Sequence, residues 1–393
     1  YDIRGIGFGR KLLKTDSSQI GPIDMGAYEY KNGVDLLNFN HKFVDSSATG
    51  ANNGTSWADA FTSLQEALNA AESGDTIWVA KGTYYPSSGY NLCDNSGDST
   101  RFYHFRMKEN VKIYGGFAGN EDPAVFNLND RDFITNNTIL SGDIGTRGDS
   151  TDNCYHVFYH PDGLNLTASA LLDGVSITGG NADGKIPHYN GGGMYHASSS
   201  PTLNNVNIIK NTATNKGGGI YNSNSSPNLT NITITENTAG IGGGMSNDHQ
   251  SSPTLKNVTI IENTANTGGG IYNFSSSPTL NNVTINLNTA TTHNGGGMYN
   301  NQSSPILSYV TINLNTALYS GGGIINYDHS STTLTNVTIS GNRARSGGGM
   351  FNDRSSPILT NIIIIENSAT SGGGGILNYQ HSYPTLTNVK IIK

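Results

Sequence analysis

The chain has 393 residues, a formal net charge of −7 and only 13% charged side chains. A chain so poor in basic residues lacks the positive field that holds phosphate backbones, which excludes nucleic acid as the expected partner. No apolar run approaches the length of a membrane span, and no signal peptide is visible. Because the first residue is Tyr1 and not Met, we expect a mature form or an excerpt of a longer protein.

The first predicted elements are a helix and a strand. Small and aliphatic residues recur at helical spacing and fall on one face: Ala60, Leu64, Ala67, Leu68 and Ala71. The run Thr76–Ala80 follows as the first predicted buried strand. A helix with one apolar face can cover the open apolar end of a stack of strands, so this segment is predicted to be a cap.

Residues 87–190 show no regular period and contain both cysteines, Cys93 and Cys154. In an exported protein the two could form a disulfide; two free buried thiols are the alternative, and the sequence does not decide between them. Three carboxylates in a Gly-rich stretch, Asp143, Asp149 and Asp152, could supply oxygen ligands to a structural calcium ion. The alternative is that these aspartates only favour turns. No other cofactor is expected.

From residue 191 onward a Gly-Gly-Gly triplet followed by Ile or Met recurs eight times. The triplets are spaced by 25 to 27 residues and begin at Gly191, Gly217, Gly242, Gly268, Gly295, Gly321, Gly347 and Gly373. So regular a period predicts a stack of equivalent structural units, that is, a solenoid.

Each unit contains short apolar stretches separated by turn residues, without helical spacing. One such stretch holds Leu255, Val258 and Ile260, with Thr259 between the last two. Alternation along a strand sends the aliphatic residues to one face and the Thr column to the other. Because one coil cannot bury its apolar face alone, we expect its strands to pair with the coils above and below.

Two further patterns repeat with the coil. The residue after the glycines alternates strictly between Met and Ile, from Met194 to Ile376. We interpret it as an inward column, with recent duplication of a two-coil unit as the alternative. Three Asn columns begin at Asn222, Asn205 and Asn211. They predict left-handed corners whose stacked amides form ladders along the axis.

The fragments GGGMYN, SSPTLNNVTI and NTA resemble the repeats of the polymorphic outer-membrane-protein type, within the pectate-lyase-like right-handed parallel β-helix superfamily. Residues 43–86 are similar to the amino-terminal cap of such proteins, and residues 138–157 resemble their irregular early coils. The resemblance implies an all-β right-handed parallel β-helix with about 26 residues per coil and a bacterial surface location. It does not fix an activity, because this fold carries lyases, hydrolases, adhesins and inert stalks.

This resemblance divides the chain into four parts: residues 1–40, a closing segment and linker; 41–86, the cap and first strand; 87–190, irregular coils with loops; and 191–393, eight repeats, the last incomplete. In residues 1–30, YDIRGIGFGR and IDMGAYEY resemble the element that closes the carboxy-terminal end of such domains. We therefore expect this segment to pack on another copy or on an adjacent β-helix domain, in a head-to-tail filament.

Enzymes on this fold usually place carboxylates and a base on adjacent coils of one face. The best such grouping lies in the turn after the first strand of three late coils, at Asp328, His329, Asp353, Arg354 and His381. Other coils hold Ser, Asn and Gln in this turn, so a solvated turn is the alternative.

Two outward columns complete the candidates. An aromatic line could stack on sugar rings or on another subunit, through Tyr195, Tyr221, Tyr272, Tyr299 and Phe351. A flat column of threonines is similar to that of ice-binding solenoids, although Thr is also what an exposed strand prefers.

The sequence therefore favours an extracellular structural or adhesive β-helix module, with no enzymatic activity. Its expected partners are other copies of itself, and cell-surface or matrix polysaccharide is a further possible ligand. The alternative is a carbohydrate-active enzyme, a polysaccharide lyase or glycoside hydrolase; a minor alternative is ice binding. The small variation in coil length favours the scaffold, since enzymes on this fold wall their grooves with long loops.

Overall fold

Three parallel sheets run along the molecule, and each regular coil contributes to all of them. The structure is a computed structural model that describes residues 41–90 and 100–393. Lys42–Lys393 form one structural unit. The predicted closing segment and Cys93 lie outside the described residues.

Sheet 1 follows the glycine triplets and contains nine strands: Phe158–His160, Met194–Ala197, Ile220–Ser223, Met245–Asp248, Ile271–Phe274, Met298–Asn301, Ile324–Tyr327, Met350–Asp353 and Ile376–Tyr379. Sheet 3 follows the Asn-Thr-Ala corners and contains eight strands: Asn181–Ala182, Thr212–Lys216, Thr238–Ile241, Thr264–Thr267, Thr289–Ala290, Thr316–Ala317, Arg343–Ser346 and Ser368–Gly372.

Sheet 2 lies between them in the chain path and contains eighteen strands. They are His41–Val44, Thr76–Ala80, Gly82–Tyr84, Lys112–Phe117, Thr138–Ser141, Leu171–Asp173, Ser176–Thr178, Thr202–Asn204, Asn207–Ile209, Asn228–Thr230, Thr233–Thr235, Thr254–Ile261, Thr279–Asn286, Ile306–Ser308, Thr311–Asn313, Thr333–Ser340, Ile358–Ile365 and Thr385–Ile392. The chain is thus an all-β right-handed parallel β-helix: the repeats predicted a solenoid, and the family resemblance implied this kind.

The predicted inward columns are confirmed. Consecutive coils pair in parallel and in register, so that Ile220 lies opposite Met245, and Met245 opposite Ile271. All members of the Met and Ile column from Met194 to Met350 are 0% exposed. In sheet 2, Ile260 is buried whereas Thr259 is only half-buried on the outer face, as the alternation predicted.

The glycine triplets serve two purposes. The first glycine of each triplet takes a left-handed conformation, as at Gly217 with φ 66°. The second has no room for a side chain, because a Cβ on Gly218 would lie 2.4 Å from the carbonyl oxygen of Thr238. Positive φ and close backbone approach are both reasons for glycine.

The three Asn columns form ladders, but only one lies at a left-handed corner. Asn205 and its equivalents in sheet 2 have positive φ, as predicted. The column from Asn222 instead lies inside the sheet 1 strands, with its amides pointing into the core. In the column from Asn211 the left-handed residue is the one before the asparagine, such as Lys210. Both inner columns need Asn for its buried hydrogen bonds and not for its backbone conformation.

The apolar face of the predicted cap is confirmed in part. Among the described residues, an α-helix spans Leu64–Ala70, and the side chain of its N-cap Ser63 accepts a hydrogen bond from the backbone N–H of Gln65. Leu64, Ala67 and Leu68 lie on this helix and are buried; Ala60 and Ala71 are buried too but lie outside the helix, so the predicted helical face was too long. The strand Thr76–Ala80 has the predicted bounds, but His41–Val44 precedes it and pairs with it, so it is not the first strand.

The coils between the cap and the repeats are less regular. Their described residues include the 3₁₀ helices Thr100–Phe102 and Leu128–Asp130. Within the described ranges, no helix has both the length and the hydrophobicity to cross a bilayer.

Candidate functional site

The predicted catalytic residues lie on the turns that follow sheet 1. Asp328 and His329 both take left-handed conformations, and the Asp328 carboxylate lies 3.1 Å from Nδ1 of His329. Arg354, on the next coil, lies 3.7 Å from Asp328 and 3.5 Å from Asp353. The structure therefore brings four of the five residues together. Among the described residues, none of these four has a recorded hydrogen bond or ion pair with His381.

The electrostatics of this turn suit a charged surface cluster. Gln302 donates a 2.9 Å hydrogen bond to Asp328 and, with His329 and Arg354 nearby, holds the pKa of that carboxyl below its usual value. The imidazole of His329 is 81% exposed. Asp328 is thus ionised in the pH range in which a general acid would have to hold its proton.

The predicted calcium ligands each close a turn of their own loop. Asp143 accepts a hydrogen bond from the backbone N–H of Gly148, Asp149 from Thr151, and Asp152 from Thr146. In residues 41–90 and 100–393, no group of three His, Cys, Asp or Glu side chains could hold a metal ion. The structure gives the calcium prediction no support.

Cys154 is a buried free thiol. Burial raises its pKa to about 12, so the thiol is neutral near pH 7. Cys93, its predicted disulfide partner, lies outside the described residues, so the disulfide stays a prediction.

The aromatic column is not an exposed stripe, which corrects one expectation. Its members project outward from sheet 1, but Tyr195 and Tyr221 are only 9% and 6% exposed, and Tyr272, Tyr299 and Phe351 are half-buried. Ring centroids of neighbours lie 5.3 Å apart at Tyr195 and Tyr221. Adjacent strands lie about 4.8 Å apart, which is close to the distance between two aromatic rings in contact. Each ring therefore shields the next ring from solvent.

Between Tyr195 and Phe351 the column lacks an aromatic ring at Ser246 and at Ile325, and only Ser246 is small. Register places Ser246 between Tyr221 and Tyr272, which are two strands apart. A partly buried ion pair lies at this position: Lys216 Nζ contacts the carboxylate of Asp248. The hydroxyl of Tyr221 donates a 3.4 Å hydrogen bond to the same carboxylate.

Sequence reasoning missed this ion pair. Its one available signal was the serine, which is the only small residue in an otherwise bulky outward column.

Buried histidines form a second group that the sequence did not reveal. His160 and His196 lie in sheet 1, with their Nδ1 atoms 2.9 Å apart. His156 Nε2 lies 2.9 Å from Nδ1 of His188. Burial lowers the pKa of His196 to about 3 and that of His156 and His160 well below the usual value, so these imidazoles are neutral. They occur in pairs, and within each pair one ring nitrogen of each histidine faces the other at hydrogen-bond distance.

Comparison with known proteins gives a repeat family and a fold. Residues 205–223 match the Chlamydia polymorphic membrane protein (Chlamydia_PMP) repeat. This stretch begins at the left-handed corner Asn205 and ends at the last residue of the strand Ile220–Ser223. No curated protein matches the chain.

Two solved structures are similar. The crystal structure of pectate lyase Pel9A gives a TM-score of 0.53 at 15% identity, covering 86% of this chain and 79% of that chain. A rhamnogalacturonan lyase gives a TM-score of 0.39 at 12% identity, covering 89% and 87%. At such identity the first likeness shows the fold alone, because one fold supports many functions.

Proposed function

We propose that this pectate-lyase-like parallel β-helix, with its repeats of the polymorphic-membrane-protein type, is a structural and adhesive module of an extracellular or bacterial cell-surface protein. The observation that carries the proposal is the unbroken register of sheet 2 along the later coils. Strands of sheet 2 pair residue for residue over as many as seven positions, from Thr254 opposite Thr279 to Ile261 opposite Asn286. Such coils present long, even outer faces, which suit display and contact with other surfaces.

Location is the first test of this function. Intact cells that express the protein would be labelled with an antibody raised against the exposed turn at His249 and Gln250. Labelling without permeabilisation is the expected result. Labelling that requires permeabilised cells would overturn the surface assignment.

Head-to-tail association is the second part of the proposal. It rests on the resemblance of residues 1–30 to the element that closes such domains, and on the parallel pairing through which successive coils extend the stack. In this proposal residues 1–30 pack on another copy or on an adjacent β-helix domain.

The test of association is deletion of residues 1–30. The expected result is loss of assembly in light scattering and electron microscopy, with the repeats still folded by circular dichroism. Full-length protein that stays monomeric at high concentration would overturn this part of the proposal.

A carbohydrate-active enzyme is the second candidate, supported by the proximity of Asp328, His329, Asp353 and Arg354. The scaffold proposal expects no cleavage of pectic, alginate-like or neutral polysaccharides. Cleavage that disappears in Asp353→Asn or His329→Ala would favour the enzyme. Thr254→Ala, on an exposed position of sheet 2, is the matched control.

A further inference from the structure

We propose that the gap at Ser246 is a binding slot for the ring of a neutral hexopyranose. The slot is defined by Tyr221 and Tyr272 as its walls and by Ser246, Asp248 and Lys216 as its polar floor and cover. This deepens the proposed adhesive function, on which it rests, by naming a ligand class.

The walls have the spacing of one missing ring. Tyr272 and Tyr299, on adjacent strands, have ring centroids 5.2 Å apart. Tyr221 and Tyr272 are separated by two strand spacings, about 10 Å, and Ser246 contributes no ring between them. A six-membered ring at this level would therefore contact an aromatic face on each side. The C–H groups of a pyranose are attracted to such faces.

The floor offers unused hydrogen-bonding capacity. Ser246 and Asp248 are both 0% exposed. The hydroxyl of Ser246 and Oδ1 of Asp248 are buried without a hydrogen-bond partner. Buried polar atoms of this kind are rare in folded proteins, so a partner is expected for them.

The chemistry of the floor favours a sugar over an aromatic side chain. A phenyl ring would leave both oxygens unsatisfied, whereas a pyranose carries several hydroxyls that donate and accept. The charge of Asp248 is already balanced by Lys216, whose ammonium also lies 6.0 Å from the centroid of the Tyr272 ring. Because the ligand enters only when Lys216 turns away from Asp248, the remaining carboxylate charge disfavours a uronate and leaves a neutral sugar as the expected ligand.

Lys216 is the movable part of the site. Its side chain is 23% exposed, whereas that of Asp248 is 1% exposed. The flexible methylene stem of lysine can turn toward solvent and open the gap between the two tyrosines. Ser246 and Asp248, which the lysine side chain covers, would then form hydrogen bonds with the ligand.

The experiment measures binding of neutral methyl hexopyranosides and of methyl uronates to the full chain, by saturation-transfer NMR and calorimetry. Ser246→Tyr places the missing ring in the slot and should weaken binding at least about tenfold. Ile325→Tyr is the matched control, since it adds a ring in the same column, two strands beyond Tyr272, and leaves Lys216 and Asp248 unchanged. In the wild-type chain, ring resonances of Tyr221 and Tyr272 should shift on binding while those of Tyr159 do not.

Three results would overturn the inference: no binding of neutral hexopyranosides, binding of uronates alone, or equal binding by wild type and Ser246→Tyr. The tyrosine shifts test the wild-type chain directly, so a variant that fails to fold does not block the test. Surface labelling without sugar binding would remove this inference and leave the proposed function intact. Sugar binding by a chain that is absent from the cell surface would overturn the surface assignment and leave this inference intact.

Discussion

At the two ends of sheet 1, different polar side chains occupy the same buried, inward-facing position. Along the later strands the inward position after the Tyr column is Asn, from Asn222 onward, and each amide donates to the next at 2.8 to 3.0 Å. In the two earliest strands of the sheet the same position holds His160 and His196. An amide has both a donor and an acceptor at any ordinary pH, whereas an imidazole has both only while it is neutral.

Hydrogen bonding is incomplete at the junction of the two regions, where His196 of the histidine pair meets Asn222 of the Asn ladder. The backbone N–H of Met107 donates to Nε2 of His160, so neutral His160 carries its proton on Nδ1 and donates it to His196. His196 must then carry its own proton on Nε2, where it has no partner. Oδ1 of Asn222, on the next strand, is unpaired as well. The Asn ladder is therefore self-sufficient, and the histidine end is where polar burial is least satisfied.

The largest expected effect is in the regular coils. Ile271→Asp places an unpaired carboxylate in a column that is 0% exposed. We expect it to cost more than about 4 kcal/mol and to unfold the neighbouring coils. Denaturant unfolding measures the change. Thr254→Asp, on an exposed outward position, is the control, and its free energy of unfolding should change by less than about 0.5 kcal/mol.

The second prediction compares an inner with an outer ladder. Asn263 donates to Ile234, Ile261 and Asn288 and accepts from Asn237; the bond to Ile261 is partly buried and the other three are buried. Asn263→Ala should therefore cost about 3–5 kcal/mol, because several buried groups lose their partners. Asn257→Ala removes only exposed amide bonds and a left-handed preference, and should cost about 1 kcal/mol. Equal losses in chemical denaturation would contradict this difference.

The third prediction is that acid weakens the early coils before the later ones. Burial lowers the pKa of His104 and His196 from 6.5 to about 3. Their stabilisation is fully present above pH 6.5 and is lost as the pH falls toward 3, by up to about 1.4 kcal/mol per pH unit for each residue. Histidines of the later coils are exposed: His249, His293, His329 and His381.

Hydrogen exchange at pH 7 and pH 5, corrected for intrinsic rates, separates the two regions. Protection should fall first around the strands Phe158–His160 and Met194–Ala197. A uniform loss along the chain would contradict the assignment to the histidines.

The smallest expected effect comes from His196→Asn, which extends the Asn ladder by one strand into the histidine end of sheet 1. In His196→Asn the new amide oxygen can accept from His160, and its nitrogen can donate to Asn222. The substitution removes the unpaired Nε2 of His196 and gives Oδ1 of Asn222 a partner, while the smaller side chain leaves some space unfilled, so the net gain should be about 1 kcal/mol at pH 7. Thermal unfolding should also become less sensitive to acid. Asn222→His, which moves the junction by one strand, should destabilise the chain.

The sequence predicted the fold because its signals are local and repeated. A period of 25 to 27 residues, a Met and Ile column and alternating aliphatic residues are enough to define coils, strand faces and register. The buried face of the helix Leu64–Ala70 and the strand Thr76–Ala80 followed from spacing within a few residues, although the helix is shorter than the predicted face from Ala60 to Ala71.

Only the tertiary structure decided which side chains cover those columns and which partners they contact. Alternation shows that Tyr221 points away from the core, but its burial depends on a ring about 26 residues away and on Lys216 and Asp248. The same holds for the buried histidines, whose partners come from different coils. Strand periodicity fixes the direction of a side chain, whereas its burial, its proton and its partner depend on neighbours that only the stacked coils bring together.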